Sequence, residues 1–148
     1  MLYGGDGDDL LSGGAGADTI YGETGDDAIS RAVYADGGES ADKIIVSGAG
    51  SIILGGGGDD VISFALPPGA TVVTAGEADE TVGDTLAFSA LTRDLTTAEA
   101  EAGRALEGCE VLSFVEIERI ILGGGTDQAL LADRLGDRVL TGFDDRPR

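Results

Sequence analysis

Aspartate and glycine recur at a fixed spacing in the first part of this chain, and both residue types suit a site for a hard metal ion. Three consecutive nonapeptides begin at Gly4, Gly13 and Gly22, each with glycine at positions one and four, aspartate at six and an aliphatic residue at eight. Calcium takes about six to eight oxygen ligands from carboxylates and backbone carbonyls. Glycine lets the backbone fold its carbonyls toward a common point. The spacing therefore predicts calcium coordination by successive turns.

The same period returns further along the chain. Residues 31–36 interrupt the pattern and are expected to be a six-residue insertion. Residues 37–45 then resume the pattern. Residues 46–54 lack the position-one glycine and the aspartate but keep Ile53 at position eight. Residues 55–63 are an almost complete copy, still in phase. A repeat that keeps its period across two blocks indicates a solenoid rather than a chance cluster of acids.

The aliphatic residue at position eight indicates which elements hold these turns in place. In a short strand it points to one face while its two neighbours point to the other, so one side chain per repeat enters a core. The predicted core residues are Leu11, Ile20, Ile29, Ile44, Ile53 and Ile62. The outward positions carry Ser12, Tyr21, Ser30 and Ser63, which predicts a small polar surface without an aromatic patch.

These nonapeptides resemble the hemolysin-type calcium-binding repeats of RTX (repeats-in-toxin) proteins, tightly over residues 1–63 and loosely beyond. The resemblance implies an all-β, right-handed parallel β-roll, in which six residues of each repeat form a turn and three form a strand. It also implies calcium between turns two repeats apart on one edge. The ligands implied are Gly4, Gly5, Gly7, Asp9, Gly13, Gly14, Gly16, Asp18, Gly22, Gly25, Asp27, Gly37, Gly38, Asp42, Gly55, Gly56, Gly58 and Asp60.

This geometry predicts pairs of turns that share an ion. The two best pairs are residues 4–9 with 22–27, and residues 37–42 with 55–60. Two further pairs are residues 13–18 with 37–42, if the insertion loops out, and residues 22–27 with the degenerate turn 46–51, as a weak site. The remaining turn acids are expected to be solvated charges that raise the local calcium concentration: Asp6, Asp8, Asp26 and Asp59.

The amino-acid composition argues against several classes of function. The chain has 28 acidic and 9 basic residues, for a net charge of −19, which disfavours nucleic acid and anionic membranes as partners. No apolar run is long enough to cross a bilayer, so membrane insertion is not expected. The absence of histidine excludes a Ser-His-Asp triad and an H-E-x-x-H zinc site. We therefore expect a protein that is not an enzyme.

The composition changes after residue 63, which predicts two regions. Residues 1–63 form the calcium-binding β-roll, and residues 64–148 form a less regular, β-rich continuation or cap of the solenoid. Residues 96–107 combine an N-cap threonine, early glutamates and alanines, which predicts a short helix. Leu131 and Leu140 continue the aliphatic spacing near the end of the chain.

One aliphatic side chain per nine glycine-rich residues offsets little of the entropy lost on folding. Metal binding to the folded state would supply the difference. We therefore expect a secreted bacterial module that folds on extracellular Ca²⁺ and stabilises, or assists the export of, a larger polypeptide. The resemblance implies the type I secretion machinery as a partner. The alternatives are a calcium-dependent adhesion or surface-layer module, and the non-catalytic tail of a secreted hydrolase.

Overall fold

Two sheets of short strands face each other in the computed structural model. The structure describes residues 1–48, 50–65, 70–76, 78–88, 95–97, 103–107, 110–117, 119–122, 129–131 and 140–141. Sheet A contains, in spatial order, β1 (Leu2–Asp6), β3 (Thr19–Thr24), β5 (Tyr34–Glu39), β7 (Ile52–Gly57), β9 (Val72–Thr74), β13 (Glu110–Val115), β12 (Gly103–Glu107), β11 (Leu95–Thr97) and β15 (Ala129–Leu131). Sheet B contains β2 (Leu10–Ser12), β4 (Ala28–Ser30), β6 (Lys43–Val46), β8 (Val61–Phe64), β10 (Thr85–Phe88), β14 (Arg119–Leu122) and β16 (Leu140–Thr141).

The chain passes from one sheet to the other at every repeat, so two repeats complete one coil. Pairing between coils is parallel, with Leu2 opposite Ile20 in sheet A and Leu11 opposite Ile29 in sheet B. The prediction of an all-β parallel solenoid is confirmed, and the architecture is that of a β-roll. No helix in the described part of the chain is long and apolar enough to cross a membrane.

The position-eight side chains form the core between the sheets. Ile20, Ile44 and Ile62 are at most 1% exposed, and their strand neighbours face outward. Beyond residue 63 the same inward column continues through these residues: Val73, Leu86, Phe114 and Ile120. The two sheets therefore continue without a break from the repeats into the region that follows.

Residues 31–36 are not an insertion, and this prediction is wrong. They form a shortened repeat, in which Ala35 lies opposite both Ile20 and Ile53 and is buried in the aliphatic column. Only residues 31–33 remain for the turn, and the amides of Val33 and Tyr34 both donate to the carbonyl of Asp18. A small apolar residue at the inward position is sufficient to complete the coil, which a search for glycine and aspartate overlooks.

The shortened repeat determines which turns are neighbours. The turns at residues 4–9, 22–27, 37–42 and 55–60 lead from sheet A to sheet B, and together they form the first edge of the roll. Residues 13–18, 31–33 and 46–51 lead from sheet B back to sheet A and form the second edge.

The predicted helix over residues 96–107 is also wrong, since the described residues there are the strands β11 and β12. These two strands pair antiparallel, and β12 pairs antiparallel with β13 from Gly103 opposite Phe114 to Glu107 opposite Glu110. The open edge of β13 supplies these backbone hydrogen bonds, and such tertiary pairing overrides helix propensity. Further along, β16 places Leu140 opposite Ile120, in the register of the aliphatic column.

An aromatic stack on the outer face of sheet A corrects the expectation of a polar surface without aromatics. The rings of Tyr3 and Tyr21 are nearly parallel with centroids 5.2 Å apart, and Tyr34 lies 5.6 Å from Tyr21. The stack joins the first three strands of the sheet, and aromatic pairs of this kind stabilise strand pairing. The repeat pattern did not predict it, because Tyr34 falls in residues 31–36, which were expected to be an insertion.

The turns need a left-handed backbone at positions two and four. Gly38 and Gly58 have φ values of 111° and 113°, and two residues other than glycine occupy equivalent positions, Glu23 with φ of 83° and Ser40 with φ of 82°. A side chain in this conformation costs on the order of 1–3 kcal/mol. These two turns therefore carry a local strain that glycine would relieve.

We predict that Ser40→Gly raises the free energy of unfolding of the calcium-saturated roll by about 1 kcal/mol, because it removes this strain. Thermal unfolding followed by far-UV circular dichroism measures the change. The matched control is Gly7→Ser, which introduces the same strain at position four of the first turn, with a Cβ that would meet nothing within 4 Å, and should lower the unfolding temperature. A Ser40→Gly protein less stable than the wild type would contradict the assignment.

Candidate metal centre

A ladder of aspartates at position six joins the turns of the first edge. The amide of Asp9 donates to Oδ1 of Asp27 at 2.8 Å, and the amide of Asp27 donates to Oδ1 of Asp42 at 2.8 Å. The amide of Asp42 donates to Oδ1 of Asp60 at 2.8 Å, and that of Asp60 donates to Oδ1 of Asp84 at 2.7 Å. Each carboxylate is therefore fixed to the backbone of the turn before it.

The second oxygen of these carboxylates has no such partner. Asp27, Asp42 and Asp60 are at most 2% exposed, and their Oδ2 atoms are buried without a hydrogen bond. A buried charged oxygen without a partner is costly unless a proton or a cation accompanies it.

The glycines at position one show where these oxygens lie. A Cβ atom built on Gly37 would collide with Oδ2 of Asp42 and with the carbonyl oxygen of Gly55 in the next turn. The same collision recurs at Gly4, Gly22 and Gly55. At Gly4 the two oxygens belong to Asp9 and Gly22, at 2.9 and 2.6 Å from the ideal Cβ position. At each gap, a carboxylate oxygen and the next turn's carbonyl oxygen thus both approach the position-one glycine.

Both oxygens are hydrogen-bond acceptors and cannot bond to each other, so a cation or a proton that reaches the carboxylate oxygen is favoured. The pKa values of the buried carboxylates reflect this environment. Burial raises the pKa of Asp42 to about 7 and that of Asp60 to about 6, in each case against the opposing effect of the hydrogen bond that Oδ1 accepts. Burial is also the main cause of the raised pKa of Asp27. The gaps favour any positive species that can enter.

The donor set indicates which cation fits. Among the residues that the structure describes, no three acidic or cysteine side chains converge on one point, and the sequence contains no histidine. A metal ion in a gap would thus take carboxylate oxygens from the ladder and most other ligands from backbone carbonyls. An all-oxygen set of this kind suits calcium and not zinc or copper.

The aspartates at position five do not behave as simple solvated charges, which corrects a second expectation. Oδ1 of Asp8 accepts the amide of Asp26 at 3.0 Å, and Oδ1 of Asp26 accepts the amide of Ala41 at 3.1 Å. These bonds run in the opposite direction to those of the position-six ladder, from each turn back to the carboxylate of the preceding one. The Asp-Asp pairs therefore hold neighbouring turns together reciprocally.

The positions of the turns correct two of the predicted ion sites. Residues 13–18 and 37–42 lie on opposite edges, as do residues 22–27 and 46–51, so neither pair can share an ion. The true neighbour of turn 22–27 is turn 37–42, because the shortened repeat at residues 31–36 brings them onto one edge. The pairs 4–9 with 22–27 and 37–42 with 55–60 are neighbours as predicted.

Asp84 is the ladder residue that sequence analysis did not assign. It is fully buried and occupies the position-six place on the first edge, just before β10. The turn that precedes it is longer than six residues, which displaces Asp84 from the nine-residue phase. The run Gly83-Asp84-Thr85-Leu86 resembles the second half of a repeat and was the available signal.

Comparison with known families agrees with this geometry. The family profile of the RTX calcium-binding nonapeptide repeat matches four copies in this chain, over residues 2–30 and 36–65. The interruption falls on the shortened repeat. No curated protein and no solved structure matches the chain.

We predict that Gly37→Ala weakens calcium binding and destabilises the loaded roll by about 1–3 kcal/mol, because a methyl group enters the space between Asp42 Oδ2 and the Gly55 carbonyl. Isothermal titration calorimetry and thermal unfolding measure both effects. Gly48→Ala is the control, since its Cβ would meet nothing within 4 Å. Equal behaviour of the two variants would show that the gap is not crowded.

The raised pKa values predict a pH dependence in the absence of metal. Between the ordinary pKa of 3.8 and the folded value of about 7 for Asp42, the folded chain binds more protons than the unfolded chain. The free energy of unfolding of the metal-free roll should thus fall as pH rises through this range. Circular dichroism in chelator should show more strand at about pH 5 than at about pH 8.

The apparent affinity for calcium should change in the opposite sense and rise over the same pH interval, since protons and calcium compete for the same oxygens. Calcium titrations at several pH values measure this. An affinity independent of pH between about 5 and 8 would contradict the placement of calcium beside Asp42 and Asp60.

Proposed function

Because RTX calcium-binding nonapeptide repeats extend over residues 2–65 of this chain, we propose that it is a calcium-triggered folding module of a secreted bacterial protein. The repeat family is a structural, calcium-binding type and not a catalytic one. In this proposal the module folds when it meets extracellular calcium, and it stabilises, or assists the export of, a larger polypeptide.

The main support for this proposal is the buried carboxylate oxygens in the first-edge gaps. Without a cation, folding would bury the Oδ2 atoms of Asp27, Asp42 and Asp60 beside backbone carbonyls, at a cost to the folded state. In the unfolded chain the same carboxylates are solvated and distant from one another. A ligand that binds only the folded state shifts the equilibrium toward it, so calcium would act as the trigger for folding.

The ions would lie in successive gaps of the first edge. Turns 4–9, 22–27, 37–42 and 55–60 enclose three gaps, whose carboxylate ligands would be Asp9, Asp27 and Asp42. Asp60 would be a ligand at the far side of the last turn. Glycine carbonyls of the same turns would complete the coordination. Asp18 lies on the second edge beside Gly13, and its Oδ2 is likewise buried without a hydrogen bond. The facing turn 31–33 has no aspartate that could share an ion with it.

The calcium concentration on each side of the cell membrane would determine where the module folds. Extracellular calcium modules bind with dissociation constants of roughly 10⁻⁴–10⁻³ M, so weak sites stay empty in the cytosol and fill outside the cell. A chain with empty sites would remain unfolded and able to pass through a secretion channel. We propose a type I system for this step, in keeping with the typical route of RTX proteins.

We predict that far-UV circular dichroism in chelator lacks most of the strand signal and that millimolar calcium restores it, while the same concentration of magnesium does not. Magnesium requires a small octahedral site and releases its water reluctantly. A complete strand signal in chelator at neutral pH would refute calcium-triggered folding.

A matched pair of variants tests the ligand assignment. Asp27→Asn keeps an acceptor for the Asp9 amide but removes the charge in the gap, so it should weaken calcium binding at least about tenfold, or about 1.4 kcal/mol. Asp26→Asn keeps the acceptor for Ala41 and lies outside the gap, so its effect should be several times smaller. Equal losses in calorimetric titrations would refute the assignment of Asp27 as a ligand.

A further inference from the structure

The two edges of the roll solve the same packing problem with different residues. On the first edge, positions one and six hold glycine and aspartate, as in Gly55 and Asp60. On the second edge, Gly13 and Asp18 hold the same positions in the first turn, but further along they are replaced by Val46 with Ser51 and then by Phe64 with Thr71. The four replacing residues are at most 2% exposed. Apolar volume and hydroxyl groups therefore replace the glycine and the carboxylate.

The second edge has a neutral version of the position-six ladder. The amide of Ser51 donates to Oγ1 of Thr71 at 3.4 Å, and Oγ of Ser51 donates to the carbonyl of Gly48 at 3.4 Å. A hydroxyl can both donate and accept, so it carries no charge that a cation would have to balance.

Aromatic packing closes this edge. Phe64 and Phe88 are opposite each other in sheet B, with nearly parallel rings and centroids 5.2 Å apart, and both are at most 3% exposed. Val46 lies opposite Phe64 in the preceding coil. Where the first edge has room for an ion beside glycine, these side chains fill the space.

The first edge keeps its metal-type geometry one gap beyond the repeats. A Cβ on Gly55 would meet Oδ2 of Asp60 and the carbonyl of Ala75, which lies at the start of the next first-edge turn. Asp60 is 1% exposed, and its Oδ2 has no hydrogen bond. The fully buried Asp84 faces the same gap from the far end of that turn, where its Oδ1 accepts the amide of Asp60.

Asp59 holds the longer turn in position. Its Oδ1 accepts the amides of Thr81, Val82 and Gly83 at 2.8, 2.8 and 2.9 Å, and its Oδ2 accepts the Thr81 hydroxyl. These bonds lower the pKa of Asp59, so it stays ionised while Asp60 faces the gap. The extra residues of the turn are thus folded against the repeat and Asp84 is brought into the ladder.

From these contacts we infer that the row of metal sites on the first edge extends one gap past the repeats, to a calcium site between Asp60 and Asp84. The second edge from Val46 onward takes no metal. This inference rests on the proposed function, because it concerns how many ions the same module binds and where.

The number of bound calcium ions tests the inference. Equilibrium dialysis of the full chain, with total calcium measured by atomic emission, should show that Asp84→Asn binds one ion fewer than the wild type. Asn keeps an acceptor for the Asp60 amide. The control is Asp79→Asn, an exposed acid of the same turn, which should bind the wild-type number. An unchanged count in Asp84→Asn, or an equal loss in Asp79→Asn, would overturn the inference.

Two further measurements distinguish the loss of one metal site from misfolding of the variant. All three tyrosines lie within residues 3–34, so their near-UV circular dichroism reports whether the first coils of Asp84→Asn still fold in calcium. If they do not, the double variant Ser51→Ala, Thr71→Val decides, because it should keep the wild-type count. The loss of an ion would overturn the inference that the second edge from Val46 onward takes no metal. A wild-type chain that binds no calcium would refute the proposed function itself.

Discussion

Facing acceptor oxygens across the gaps between stacked turns are the constraint on which this structure depends. The parallel stacking of coils brings each buried Asp Oδ2 next to the carbonyl of the following turn, as at Asp42 and Gly55. The hydrogen bond from the preceding turn's amide to Oδ1 holds the carboxylate in this position, as the Asp27 amide does for Asp42. A cation in the gap would neutralise the buried carboxylate and bind both oxygens.

The glycine content follows from the same constraint, for two separate reasons. At position one, glycine is required by space, since any side chain would enter the gap that the carboxylate occupies. At positions two and four it is required by the left-handed backbone. The second edge shows the alternative solution, where Phe64 and Thr71 replace glycine and aspartate, and the interior closes with apolar contacts.

The period, the inward aliphatic column and the aspartate positions could be predicted because each repeat is a local unit whose residues recur at fixed spacing. What could not be predicted came from pairing between distant residues. Ala35 completes a coil through its contacts with Ile20 and Ile53, and Asp84 enters the ladder only because Asp59 folds the preceding turn. Likewise, the sequence of β12 favours a helix, but β12 is a strand because it pairs with the backbone of β13.

The most direct test is a crystal structure of the chain grown with calcium, with data collected where calcium scatters anomalously. We expect a row of anomalous peaks in the first-edge gaps, at about 2.3–2.6 Å from Oδ2 of Asp27, Asp42 and Asp60. Calcium bound only at exposed carboxylates such as Asp8 and Asp26, with the gaps closed by direct packing, would contradict it.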